Sequence, residues 1–78
     1  MYFVYALKSE NRNYIYVGLT DNIERRFNEH QTGKNKTTGP YRPFKLIYSQ
    51  TFETRLQARL KEKYLKSGVG KEYLKALL

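Results

Sequence analysis

Two periods of apolar residues alternate along the chain. Tyr2 to Leu7 and Tyr14 to Leu19 are rich in aromatic and β-branched residues, and the span SENRN between them is turn chemistry. Runs of that kind predict an antiparallel β-hairpin. Within the second run Tyr14, Tyr16 and Gly18 share one side, while Ile15, Val17 and Leu19 share the other and read as the core face. The period then changes to that of a helix. Asp21 followed by Glu24 is a capping-box pattern, Ile23 and Phe27 are apolar at i and i+4, and Gly33 is a stop, which predicts a helix over Asn22 to Thr32.

Phe44, Leu46 and Tyr48 alternate with Lys45, Ile47 and Ser49, the mark of a third strand. Glu53 to Ser67 has helix-forming composition, with Leu56, Leu60 and Tyr64 at four-residue spacing as an apolar stripe and Gly68 as its end. A short helix over Lys71 to Leu77 closes the chain. The order β-β-α-β-α-α predicts an α+β fold, a three-stranded, mainly antiparallel sheet flanked by three helices. Helices must cover at least one face, because three strands alone leave apolar surface wet.

Composition narrows the class. At 78 residues the chain has the size of one domain, residues 1–78, and 40% hydrophobic with 15% aromatic residues is enough to fold. The absence of cysteine excludes disulfides, thiolate zinc sites and a cysteine nucleophile, and fits a reducing interior. No stretch approaches the roughly 20 apolar residues that span a bilayer, so a cytoplasmic protein without membrane contact is expected. Fifteen Lys and Arg against seven Asp and Glu give a net charge of +8, which makes nucleic acid the leading partner. Between Gln31 and Pro43 lies a long loop carrying Lys34, Lys36 and Arg42, and a loop of that length in a small domain usually has a task.

Three places could carry chemistry. Gly18, at the end of a strand beside Tyr16, offers bare backbone for close approach by another backbone. On the first helix, the direction set by Ile23 and Phe27 leaves Arg26 and His30 at the rim of the core and sends Arg25 to solvent. A guanidinium binds phosphate oxygens in a fork, and an imidazole titrates near neutral pH. On the second helix Glu62 shares a face with Ala58 and Leu65. It suits either a surface pair with Lys66 or a hard oxygen ligand for Mg²⁺.

These residues carry a resemblance. Phe3-Val4-Tyr5, Tyr16-Val17-Gly18, Asn22-Ile23-Glu24-Arg25-Arg26 with His30, and Glu62 within RLKEKYLK resemble, in order and separation, the motifs of the GIY-YIG nuclease superfamily. The closing SGVGKEYLKALL is similar to the tail of its small single-domain bacterial members. Phe3 stands where the first motif has glycine, and Leu19 and Thr20 stand where some members carry a lysine. The resemblance implies a Mg²⁺-dependent (or Mn²⁺-dependent) endonuclease acting on DNA, with Glu62 as metal ligand. Tyr16 would activate the attacking water with Tyr5 hydrogen-bonding beside it. Arg26 would stabilise phosphoryl charge, and His30 would assist proton transfer or hold the phosphate.

Family enzymes usually owe target choice to an attached DNA-binding domain. The loop cations, with Arg59, Lys63 and Lys66, would supply phosphate contacts of low sequence preference, as in DNA repair or processing. A homodimer or a partner protein would supply specificity. The alternative is a non-catalytic nucleic-acid-binding or adaptor module of the same fold. A small RNA binder stacking tyrosines on bases is a third reading, and it leaves the placement of Glu62 unexplained.

Overall fold

The computed structural model describes residues 1–78. Its elements are β1 (Tyr2–Ser9), β2 (Ile15–Thr20), α1 (Ile23–Gln31), a 3₁₀ turn (Gly39–Tyr41), β3 (Phe44–Phe52), α2 (Arg55–Lys66) and α3 (Gly68–Lys75). All strand pairs are antiparallel, and the sheet order β2-β1-β3 puts the hairpin's first strand in the centre. No helix is long and apolar enough to cross a membrane.

The pleat divides the core into two layers. Val4 and Ala6 of β1 and Val17 of β2 face α2 and α3, where they meet Ala58, Leu65 and Leu74. Tyr5 and Leu7 face the opposite side and pack with Phe44, Tyr16, Ile23 and Phe27, under α1 and the loop that follows it. Full burial of a side chain such as Leu65 or Leu74 stabilises the fold by about 1.5–3 kcal/mol.

Several boundaries differ from the pattern in the sequence, each for a local reason. Asn22, not Asp21, caps α1: its side chain accepts from the Arg25 N–H, and Asp21 pairs instead with the Arg25 guanidinium. Gly33 follows the helix at φ 80°, the left-handed conformation of a helix-ending glycine. Gly68 does not end α2. Ser67 does, and the Ser67 hydroxyl, donating to the Tyr64 carbonyl and accepting from the Gly70 N–H, also starts α3 three residues ahead of Lys71. In β3 the alternation of Phe44, Leu46 and Tyr48 is broken. Leu7 pairs with Leu46 and Ala6 with Tyr48, so Ile47 is a bulge that turns Tyr48 to the face opposite Phe44.

The largest difference concerns α2. Its stripe Leu56, Leu60 and Tyr64 is 70%, 61% and 45% exposed, while Ala58, Glu62 and Leu65 are buried. Ala58 is small enough to let the helix lie close on the sheet. Glu62 is tolerated on the buried face because it brings two cations of its own helix with it.

Candidate active site

Cross-strand register sets the first part of the site. Tyr5 lies directly opposite Gly18. A Cβ placed on Gly18 would stand 2.5 Å from the Tyr5 hydroxyl oxygen and 2.6 Å from Cζ. The open space at Gly18 is therefore filled by the Tyr5 phenol and is not available to a nucleic-acid backbone, which corrects the expectation for this residue.

The Tyr5 hydroxyl reaches His30 Nε2 at 3.1 Å, and His30 Nδ1 reaches Thr38 Oγ1 at 2.7 Å. All three side chains are buried. The Arg26 guanidinium, which can only donate, lies beside the Tyr5 hydroxyl. The consistent assignment has the Tyr5 O–H donating to a neutral His30, whose Nδ1–H donates to Thr38. With both ring nitrogens engaged inside the protein, His30 positions Tyr5 and has none left to hold a phosphate directly. Burial, then the neighbouring Tyr16 phenol, pushes the Tyr5 pKa up to about 12, with Arg26 pulling the other way. Tyr5 is thus a protonated hydroxyl at neutral pH, suited to donate a hydrogen bond and unsuited to act as a base.

Burial also lowers the His30 pKa, the Arg26 charge adds to the effect, and Glu29 opposes it. The native chain then binds fewer protons at His30 than the unfolded chain between that lowered pKa and the ordinary value of about 6.5. Stability from this group is complete above about pH 6.5 and declines as the pH falls through the window. Thermal melts from pH 5 to 8 should show that decline in the wild type and a flatter profile in His30→Gln; parallel profiles would contradict the buried neutral imidazole.

Helix phase separates the two arginines as the sequence predicts. Arg25 is exposed and paired with Asp21, whereas Arg26 is half-buried, pairs with Glu29 at 2.9 Å and touches Tyr5. For the nuclease activity that the sequence resemblance implies, Arg26→Ala is expected to cost about 100-fold, the scale of losing one charge-stabilising donor, and Arg25→Ala less than about 3-fold. The reverse order in measured kcat would contradict this placement.

Tyr16 differs from Tyr5. Its ring packs 4.8 Å from the His30 ring, yet it lines an open concavity of about 330 Å³ with Lys66 and Lys71. A second concavity, about 260 Å³, lies at the far end of β2 and is lined by Thr20, Asp21, Arg25, Arg26 and Arg55. Because α2 begins at this second concavity with Arg55 and ends at the first with Lys66, it runs antiparallel to β2 along the sheet's edge. At 100° per residue, Arg55, Arg59 and Lys66 fall on the flank toward β2, beside buried Glu62. Glu62, 6% exposed, takes Arg59 Nη1 on Oε1 at 2.9 Å and Lys66 Nζ on Oε2 at 3.3 Å. The structure thus gathers Tyr5, Tyr16, Arg26 and His30 into one cluster and leaves Glu62 buried on α2, tied to it through Lys66, which lines the Tyr16 concavity.

Other expected cations lie elsewhere. Lys63 projects from the outward side of α2, and Lys34 lines a concavity on the outer side of α1 with Arg25 and Asn28. Lys36 is exposed on the loop. The Arg42 guanidinium donates to the Gly39 carbonyl at 3.1 Å and lies against Gly33, so it straps the loop. The loop's task is accordingly structural in part, since it delivers Thr38 to His30. Thr38, Arg55 and Lys71 belong to the site and stand outside the sequence expectation. Arg55 left a signal: a cation in the first helical turn opposes the helix dipole, a local cost that marks another use.

A divalent ion fits Glu62 in one form. No cluster of three or more Asp, Glu, His or Cys side chains exists in the chain. Glu62 is a hard oxygen donor of the kind Mg²⁺ takes singly, completing its shell with water and phosphate. It would bind in competition with Arg59 and Lys66, whose long exposed side chains can turn to solvent.

A three-stranded antiparallel sheet with paired tyrosines on adjacent strands, an arginine on the next helix and a glutamate on the helix after β3 defines a class of catalytic domain. The GIY-YIG catalytic domain matches residues 1–74, and the chain belongs to this family. It is 36% identical over 80 residues to a UPF0213 protein of Limosilactobacillus reuteri, covering 99% of this chain and 82% of that one. Against a UPF0213 protein of Vibrio campbellii it is 41% identical over 64 residues, covering 81% of this chain and 61% of that one. The solution NMR structure of a UPF0213 protein from Bacillus halodurans superposes with a TM-score of 0.58 at 32% identity, over 99% of this chain and 85% of that one.

Proposed function

We propose that the chain is a Mg²⁺-dependent endonuclease that hydrolyses phosphodiester bonds in DNA with low sequence preference. One observation carries this reading beyond nucleic-acid binding: a buried carboxylate, Glu62, is held between Arg59 and Lys66, and Lys66 lines the concavity of Tyr16. A surface that only binds phosphate gains nothing from an acid there.

The two tyrosines take different roles. Tyr16, facing the groove, accepts the proton of the attacking water as general base, and Lys66 and Lys71 in the same concavity hold the phosphate beside it. Tyr5, held protonated and donating its O–H to His30, packs between Tyr16 and Arg26 and keeps both in place, and His30 with Thr38 fixes its direction. Arg26, beside Tyr5, neutralises charge developing on the phosphoryl oxygens. A divalent ion on Glu62 would supply Lewis-acid stabilisation of the phosphate and an orienting site for water.

The competing reading, a binding module without turnover, draws on the pairing of both Glu62 oxygens with Arg59 and Lys66. Incubation of the wild type with supercoiled plasmid and forked DNA, in Mg²⁺ and in chelator, separates the two. Nicking that requires metal supports the enzyme; binding with no nicking in either condition supports the module.

A further inference from the structure

A third concavity, lined by Asn13, Tyr14, Ile15, Lys71 and Lys75, adjoins the Tyr16 concavity and shares Ile15 and Lys71 with it. With the arginine concavity at the Thr20 end, three depressions of about 260 to 330 Å³ follow one another along β2. β2 is an edge strand, so no further strand of the sheet covers this side. Each depression carries cations, and these come from three separate helices: Arg25 and Arg26 from α1, Arg55 and Lys66 from α2, Lys71 and Lys75 from α3. The acids along the row are already paired: Asp21 with Arg25 at 3.3 Å, Glu29 with Arg26 at 2.9 Å, Glu62 with Arg59 and Lys66 at 2.9 and 3.3 Å, and Glu72 with Lys75 at 3.6 Å.

Aromatic rings interleave with these charges. Tyr14 lines the outer depression and stacks on Tyr41 with ring centres 4.0 Å apart, and Arg12 lies over the Tyr41 ring. Tyr16 stands one depression further in. Alternating cations and ring faces suit a strand whose bases are unpaired, because only an unpaired base presents its π-face to a side chain. β2 has six residues, so the row is about 20 Å long. That is the length of roughly six nucleotides at stacked spacing, and of fewer when the strand is extended.

We propose that the β2 edge is a track for a single unpaired DNA strand, with Lys71 and Lys75 of α3 and the Tyr14–Tyr41 stack as its entry and Arg55 at its far end. The identity of the ligand rests on the functional reading above; the track also selects substrate, favouring forks, flaps and single strands over continuous duplex. Tyr16 lies within the row, so a strand seated in it passes the proposed reacting phosphate.

Binding in chelator tests the track apart from cleavage. Fluorescence anisotropy with a labelled mixed-sequence single strand and the matching blunt duplex is measured across a salt series for the wild type, Lys71→Ala/Lys75→Ala and Lys45→Ala/Lys63→Ala. The last variant removes the same charge from β3 and from the outward side of α2. Wild type is expected to prefer the single strand. The α3 variant is expected to bind it several-fold more weakly, with the salt slope reduced by about 1.4 for two lost phosphate contacts, and the control is expected to keep the wild-type slope. Equal losses in both variants, or equal wild-type affinity for duplex, would overturn the track. Loss of cleavage activity with this binding pattern intact contradicts the nuclease reading alone, and metal-dependent cleavage without the pattern contradicts the track alone.

Discussion

Glu62→Gln is expected to lose metal-dependent cleavage by about 100-fold or more while melting close to the wild-type temperature. The activity loss follows from removing the buried carboxylate proposed as the metal ligand, since a neutral amide attracts a divalent ion far less. The retained stability follows from the surroundings. Arg59 and Lys66 are more than half exposed and recover water when the carboxylate is gone. Exchanging a buried charge for an amide of the same shape relieves a desolvation cost as well as breaking two ion pairs. Initial rates on forked DNA and a thermal melt of the same preparation check both halves. A variant that cleaves normally would remove Glu62 from the mechanism, and one that is unfolded would make the residue a structural acid.

Gly18→Ala is expected to destabilise the protein by about 2–3 kcal/mol and to abolish cleavage with it. The new methyl would meet the Tyr5 ring at its hydroxyl end and Tyr16 Cε2 at 2.9 Å. Tyr5 cannot retreat, because its ring is buried between β2 and α1 and its hydroxyl is tied to His30. Adding Tyr5→Phe removes the contact at the hydroxyl but leaves the one at Cζ, so rescue of stability should be partial. Urea titration reads the change as a lower midpoint at unchanged slope. A wild-type midpoint in Gly18→Ala would show that Tyr5 has room the packing does not provide.

Much of the frame was legible from periodicity. Strand alternation put Tyr16 and Gly18 on one face, and helix phase parted Arg26 from Arg25. Grouping Glu62 with Ala58 and Leu65 was also correct, because all three depend only on local geometry. What stayed hidden depends on partners far along the chain. Gly18 reads as open backbone until its cross-strand partner is known to be Tyr5. His30 reads as a rim residue until Thr38, delivered by the loop, occupies its second nitrogen. The α2 stripe Leu56, Leu60 and Tyr64 is the stronger apolar pattern, yet the helix buries the weaker one, since the sheet accepts a small Ala58 at close range and Glu62 carries its own counter-ions. In β3 a single bulge at Ile47 reverses the facing of Tyr48, which no alternation rule anticipates. The cations were countable from the sequence, but their grouping along β2 required knowing that α2 runs antiparallel to that edge.

The central claim, a metal-dependent phosphodiesterase site built from Tyr16, Arg26 and Glu62, is tested most directly by forked-DNA cleavage. Wild type, Tyr16→Phe and Glu62→Gln are purified in parallel and assayed over a Mg²⁺ titration. The account predicts a wild-type rate that rises with Mg²⁺ to saturation and disappears in chelator, with both variants near background throughout. Equal rates in all three proteins, or wild-type binding of the fork with no cleavage at any Mg²⁺ concentration, would contradict it.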